Sequence, residues 1–370
     1  MDKILVTKPH LPPLDAVMPL LEEIWGSAQL TNGGKYHQRL EAALQEFLVA
    51  PHVSLFCNGT IALISALQSQ NLVGEVITTP YTFPATAHAL RWNNLLPRFV
   101  DVDPTTLNIC PDAIESAITE ETSAILAVHV YGVPCDVERI QKIADAHRLK
   151  VIYDAAHAFG ADCHCGQLLS HGDVSILSFH ATKVFNTLEG GAVISNSREG
   201  KDRIDRLKNF GIETESKVFD AGLNGKMSEV NAAIGLVQLE YIKSAIAQRK
   251  QVYDAYISEL QGIDGLRLPV FHRGLTKHNF AYFPVIVEDH FPMSRDDLLA
   301  ELENKGIFAR RYFYPLVSEL EVYKNLLGSQ VEITPNARFA AERILCLPIY
   351  PGLAQSDIER VIEAIQLAGK

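Results

Sequence analysis

The sequence predicts an α/β protein: a large domain built on a mostly parallel seven-stranded sheet, followed by a smaller C-terminal α+β domain. Three observations carry this. Seven short apolar runs recur through about the first 200 residues, and several are β-branched and continuous, as strands covered on both faces are. Helix-like segments lie between many of them, and strand–helix alternation implies parallel strands joined by covering helices. After about residue 200 the pattern gives way to a long helical stretch and then to mixed segments.

The runs are VSLFCNG (53–59), EVITTPYTF (75–83), LPRFVDVD (96–103), SAILAVHVYG (123–132), KVIYDAAHAFG (150–160), VSILSFH (174–180) and GGAVISN (190–196). TIALISALQSQ and DVERIQKIADAHR are helical between them. Residues 227–262 read as one long helix or two, with Ser228 as N-cap and Gly262 as the stop. A strand is expected at 281–288, and helices at the capping boxes Ser294-x-x-Asp297 and Ser356-x-x-Glu359. The two domains are expected at 1–245 and 246–370, dividing within the long helix.

With 370 residues and 47% hydrophobic content, the chain can bury a large core without disulfide or metal staples. A net charge of −11 argues against a nucleic-acid binder, which needs a basic surface. A local pocket on such a protein can still be positive and take an anionic small substrate. Six scattered cysteines and an N-terminus without an apolar signal core point to free thiols in a reducing cytoplasm. No apolar run reaches the roughly 18–20 residues that span a bilayer, so no membrane partner is expected.

No G-x-G-x-x-G follows a strand, and GLNGK (222–226) lacks P-loop spacing, so hydride transfer and nucleotide hydrolysis lose their usual support. Asn58-Gly59-Thr60 is different. It ends a strand and opens a helix, which aims backbone N–H groups at one spot; the plain alternative is an N-capped helix after a turn. Asp154 ends another strand, at the sheet edge where open α/β sheets bind ligands, or else caps a helix. His157 reads equally as an ordinary loop histidine. Lys183 stands between two apolar strands, after Ser178 and His180, which share one face of an extended segment. A lysine there either snorkels to the surface or uses its amine. Gly190-Gly191 lets backbone approach closely. An Asp on one strand end, a Lys on a second and an anion site on a third match what pyridoxal phosphate needs: a Schiff-base amine, a partner for the pyridine nitrogen, and a phosphate cradle.

These residues sit in segments that, taken together, are specific: LTNGGKYHQRLE, FCNGTIALISAL, TTPYTFPATAHAL, YDAAHAFGA, SFHATKVFNTLEGGAVIS, LNGKMSEVNAAIGLVQL, RRYFYPLV and LPIYPGL. Through them nearly the whole chain resembles the DegT/DnrJ/StrS sugar-nucleotide aminotransferases, of the aspartate-aminotransferase fold type I. The resemblance implies that Lys183 is the catalytic amine, bonded to the cofactor at rest and later shuttling a proton. It implies that Asp154 pairs with the pyridine nitrogen and that His157 contacts the ring hydroxyl. Ser178, Gly59 and Thr60 would bind the phosphate, and Phe83 would stack on the ring. Asn224 would reach the phosphate from a neighbouring subunit, making a homodimer with shared sites. His180, Tyr312 and Tyr314 are candidate substrate contacts, the two tyrosines reading equally as core or interface aromatics.

The segment around Lys183 looks like the branch that aminates C4 of a 4-keto-6-deoxy sugar nucleotide. The resemblance thus implies L-glutamate as donor, dTDP-4-keto-6-deoxy-D-glucose as acceptor and dTDP-4-amino-4,6-dideoxy-D-glucose as product, for O-antigen or a related surface glycan. A galacto-configured amine and a UDP or GDP sugar stay open. A dehydratase of the same fold typically carries histidine in place of the lysine. A non-catalytic regulator would have no need of the intact set Asp154, His157, Ser178 and Lys183. One departure is visible: many relatives have histidine where this chain has Val317.

Other features have plainer readings. Cys163-His164-Cys165, with His157 and His171 nearby, lacks a second spaced pair, so it reads as a hairpin tip and no metal is expected. REGKDRIDRLK (198–208) reads as a solvated helix face. Arg310-Arg311 suits either a diphosphate or a surface ion pair.

Overall fold

The computed structural model describes residues 3–269, 275–327 and 334–370. All seven apolar runs form strands of one sheet: β1 (His52–Phe56), β2 (Glu75–Thr78), β3 (Leu96–Phe99), β4 (Thr122–Val128), β5 (Lys150–Asp154), β6 (Val174–Ser178) and β7 (Gly191–Ser195). Their order is β1-β7-β6-β5-β4-β2-β3. Only β7 runs antiparallel, against both β1 and β6. The continuous runs have a physical cause here. Ile125, Val151 and Tyr153 pack into the core on one face, while the alternate residues Ala124, Leu126 and Ile152 pack on the other.

Helices α1 (Gly59–Ser69), α2 (Pro84–Trp92) and α3 (Val137–His147) follow β1, β2 and β4. Asn58 and Asp136 cap α1 and α3 by accepting from the amides of Ile61 and Arg139. The charged segment forms α4 (Arg198–Leu207), and it is not simply a solvated face. Ile204 and Leu207 are buried, and Lys201 and Lys208 reach inward to Glu41 and Asp205 at 2.7–3.3 Å. Opposite charges, all at least half-buried, offset the desolvation that a lone lysine would suffer.

Residues 229–260 form one helix, α5 (Glu229–Leu260), with Ser228 as its cap. It joins two cores. Ala232, Ala233 and Ile242 belong to the sheet's core, whereas Val252, Tyr253, Tyr256 and Leu260 belong to a second, C-terminal core. That second core covers the antiparallel sheet β8 (Leu266–Arg267), β9 (Phe283–Val287) and β10 (Ile344–Leu347), with α6 (Arg295–Asn304) and α7 (Gln355–Ala368). Ile4 also lies in it, and Ile4–Leu5 pairs with Ile307–Phe308. Ser294 caps α6 as expected. Ser356 does not cap α7: Ala354, in extended geometry, precedes the first helical residue, and Ser356 falls inside the first turn.

Among the described residues no helix is long and apolar enough to cross a membrane. The free-thiol expectation holds for Cys57, Cys110, Cys135 and Cys346 but not for Cys163 and Cys165, which form a disulfide. The turn between them brings their Cα atoms to 5.2 Å, inside the ordinary range for a bridge.

Candidate active site

A cavity of about 330 Å³ opens where the strand ends of the large sheet face the C-terminal domain. Its walls include Gly59, Thr60, Phe83, Asp154, His157, Ser178, His180, Lys183 and Tyr312. The chain thus brings nine of the eleven expected site residues together. Asn224 is exposed and does not line this cavity, although the adjacent Gly225 accepts a hydrogen bond from the Cys57 amide at 2.7 Å, next to the Asn58-Gly59 turn. Tyr314 is also outside it, with its ring between the guanidinium groups of Arg295 and Arg311.

Asp154 is buried at the end of the central strand β5. No helix follows it, so the capping alternative falls. Its carboxylate instead accepts from the Ala156 amide at 3.1 Å and from the Thr86 hydroxyl of α2 at 2.8 Å. Burial raises its pKa; those two hydrogen bonds and the Lys183 charge pull it back down. Among the described residues Asp154 has no salt-bridge partner. A buried carboxylate held by neutral donors is poised to meet a cationic N–H.

Lys183 lies on the loop that returns from β6 to β7. Val184 and Phe185, next to it, are buried, and the Phe185 ring stacks on Phe159 at 4.5 Å. Burying one such ring contributes roughly 2–3 kcal/mol, enough to anchor the loop and leave Lys183 facing the cavity. The Phe179 carbonyl closes the loop by accepting from the Thr187 amide at 3.0 Å. Burial pushes the lysine pKa down to about 8, with the Asp154 charge acting the other way. A far larger fraction of the amine is therefore neutral near pH 7 than for an ordinary lysine, which favours its use as a nucleophile.

His157 is buried and stacks on Phe313 at 5.8 Å. Its Nδ1 accepts from the Tyr131 amide at 3.2 Å. That bond assigns the ring proton to Nε2, so the imidazole offers a donor on its other side. Burial, then the Lys183 charge, hold its pKa well below the usual histidine value, so it stays neutral.

The anion cradle is made by close approach. Asn58 caps α1 with its side chain, which leaves the first-turn amides at Gly59 and Thr60 for a ligand; the capping and anion-site readings hold together. A Cβ on Gly59 would stand 2.8 Å from Ser178 Cβ, and one on Gly191 would stand 2.7 Å from the Asn58 and Gly59 backbone. Both glycines are needed for the cradle to close. His180 pairs with Thr182 at 2.8 Å and lies 3.7 Å from Glu189 at the rim.

A scan against family models matches residues 15–366 to the DegT/DnrJ/EryC1/StrS aminotransferase family. The chain belongs to that family. It is 52% identical to a dTDP-4-amino-4,6-dideoxy-D-glucose transaminase of Shigella dysenteriae over 98% of both chains. An Escherichia coli transaminase of the same name is 48% identical over 97% of both. Among solved structures, DesI in the presence of its TDP-sugar product superposes with a TM-score of 0.94 at 34% identity, covering 100% of this chain and 93% of that one.

Aminotransferases of this family use pyridoxal phosphate, and the residues present fit it. The cradle of Gly59, Thr60 and Ser178 suits a phosphate, the buried Asp154 suits a protonated ring nitrogen, and Lys183 suits a carbonyl. Sequence reasoning missed Thr86, Glu189, Tyr282 and Phe313 as cavity residues or their supports. Thr86 is 68 residues from Asp154 and carries no local signal. Val317, at the position where many relatives have histidine, is buried beside Phe99 and Tyr323 rather than in the cavity. Arg311 takes the ion-pair alternative, 3.1 Å from Asp296.

Proposed function

We propose that this family member transfers an amino group from L-glutamate to C4 of dTDP-4-keto-6-deoxy-D-glucose, giving dTDP-4-amino-4,6-dideoxy-D-glucose, with pyridoxal phosphate held on Lys183. The observation that carries this reading is the meeting of Asp154, Lys183 and the Gly59-Thr60-Ser178 cradle in one cavity. The relatives at 52% and 48% identity support the substrate, because each aligns over almost its whole length.

Bound in the cavity, the cofactor supplies an electron sink that accepts the amino group from the donor and passes it to the keto sugar. The protein's part is positional and electrostatic. The Asp154 carboxylate would keep the proton on the ring nitrogen. His157 Nε2–H would donate to the ring hydroxyl. Amides at the start of α1 and the Ser178 hydroxyl would hold the phosphate, with Phe83 against the ring. Lys183 Nζ, its pKa lowered by burial, would move the proton to and from the reacting carbon of the sugar. His180 and Tyr312, which line the cavity, would contact the substrate. Asn224 of a second copy completes the phosphate site, which makes the working unit a homodimer with shared sites. The large and small domains divide near residue 245, and the enzyme works in the cytoplasm on a precursor of O-antigen or another surface glycan.

The test is spectroscopic. The visible band of lysine-bound cofactor is bleached by L-glutamate and restored by dTDP-4-keto-6-deoxy-D-glucose, and NMR of the product shows an equatorial C4 amine. A band that glutamate bleaches but this sugar does not restore overturns the substrate assignment. An axial amine overturns the product. No band after adding pyridoxal phosphate overturns the reading as a whole.

A further inference from the structure

Away from the cavity, on the segment that leads from His157 to the Ser178 strand, the chain carries a second group of chemically active side chains. Cys163, Cys165 and His171 place their two Sγ atoms and one ring nitrogen within 4.8 Å of one another. Among the described residues this is the one group of three or more His, Cys, Asp or Glu side chains close enough to share an ion. It contains no carboxylate. Two sulfurs and an imidazole form a soft donor set, which selects thiophilic d¹⁰ ions over magnesium or calcium.

Backbone contacts other than the disulfide also order the segment that carries the three residues. Asp162–Cys163 pairs with Leu275–Lys277. The chain then turns so that Cys163 bridges Gly166, whose φ of +103° suits glycine alone. Asp162 Oδ1 accepts from the Cys163 amide at 3.1 Å and from the Leu168 amide at 3.3 Å, which ties the turn to the short helix Leu168–Ser170. Leu168 and Leu169 are buried, and His171 follows directly. Cys163 is buried, while Cys165 and His171 are partly exposed, which leaves an entry path. A bridge between residues only two apart closes a minimal loop and constrains the unfolded chain little, so it is a poor structural staple.

We propose that Cys163, Cys165 and His171 form a redox-gated site for a thiophilic divalent cation, with Zn²⁺ as the reference ion. In the disulfide state described above, the sulfurs are bonded to each other and no thiolate is available. Two equivalents of a thiol, which become a disulfide, or one phosphine together with a water, which become the phosphine oxide, reduce the S–S bond by two electrons and leave two thiols. Each thiol loses its proton on binding the cation, so metal uptake releases two protons. Ligand atoms on one tetrahedral zinc stand about 3.6–3.8 Å apart, so the reduced sulfurs need only separate by side-chain rotation. Three protein ligands leave the fourth position to water.

The experiment is a Co²⁺ titration of the full-length protein after phosphine reduction and anaerobic removal of the reductant, followed by Zn²⁺ competition. One cobalt per chain is expected, with tetrahedral d–d bands at longer wavelength than any pyridoxal absorption, and these are displaced by zinc. The oxidised protein, Cys165→Ser and His171→Gln should each bind about tenfold or more weakly, with folding checked by thermal melting. Cys110→Ser should bind as the wild type. Absence of the tetrahedral bands in the reduced protein overturns the proposal. So does unchanged affinity in folded Cys165→Ser or in His171→Gln.

Discussion

The two walls of the candidate active-site cavity are built on different principles. The sheet wall carries Gly59, Thr60, Asp154, His157, Ser178 and Lys183 on strand ends, a helix N-terminus and one short return loop. Each polar group there is placed by backbone within a few residues of it, or by one specific hydrogen bond. The opposite wall carries Tyr282, Tyr312 and Phe313 from the C-terminal domain, held through ring contacts of 5.5–6.4 Å that run back to Tyr81, Tyr131 and His157. Chemistry is concentrated on the first wall and shape on the second. Changes to the sheet wall should therefore strike turnover, and changes to the aromatic wall should strike substrate affinity.

The largest effect is expected at Lys183. Lys183→Ala should abolish amino transfer while the protein remains folded; measurable turnover would move the chemistry off this wall. The same variant tests the electrostatics. In the ligand-free protein burial lowers the Lys183 pKa from 10.5 to about 8. The unfolded chain then binds more protons than the folded one between those values, so stability contributed by this group rises with pH across about 8 to 10.5 and is absent below. The difference in melting temperature between wild type and Lys183→Ala, followed over that range, should change in this sense. A flat difference would mean that the amine is not desolvated.

Asp154→Asn comes next. Loss of a buried charge partner typically costs about 3 kcal/mol or more, a hundredfold or greater fall in kcat/KM. Burial raises the Asp154 pKa even against two hydrogen bonds and the Lys183 charge, so in the ligand-free protein the ionised carboxylate costs folding energy at neutral pH. The ligand-free Asn variant should accordingly melt no lower than wild type. A marked loss of stability together with normal turnover would make Asp154 a structural residue. Gly191→Ala is a smaller and more mechanical test. Its new Cβ meets the Asn58-Gly59 backbone at 2.7 Å, and backbone cannot swing aside as a side chain can. Pyridoxal phosphate affinity should fall about tenfold, with the rate at saturating cofactor much less affected.

The same contrast explains what was legible in the sequence. All seven strands of the large sheet could be read, because each centres on a short apolar run and several of these are continuous and covered on both faces. Asp154, Lys183 and Gly59 could be read because they punctuate those runs. Thr86 could not, since its hydroxyl meets Asp154 across two elements. Tyr282 and Phe313 look like any other core aromatics until the C-terminal domain is docked. The inward ion pairs of Lys201 and Lys208 were hidden because charge runs look alike whether they face water or Glu41. A Cys-x-Cys pair likewise carries no mark of whether a turn will bring its sulfurs together.

The smallest expected effects separate two neighbouring tyrosines on the aromatic wall. Tyr312 lines the cavity, and its backbone carbonyl accepts from the hydroxyls of both Tyr81 and Tyr131. That fixes its backbone while its ring meets Tyr282 edge-on at 5.8 Å. Tyr314, two residues on, is exposed, and it packs between Arg295 and Arg311 at 4.8 and 5.0 Å. Tyr312→Phe keeps the ring and removes only the hydroxyl. If that hydroxyl reaches the sugar, KM for the nucleotide sugar should rise about fivefold to tenfold, the cost of one hydrogen bond, with kcat little changed. Tyr314→Phe should leave both parameters within about twofold, because an exposed cation–π contact survives the change. A larger effect at Tyr314 than at Tyr312 would mean that substrate extends past the cavity rim towards the Arg295–Arg311 pair, and the division between a chemical wall and a shape-giving wall would have to be redrawn to include charge on the C-terminal side.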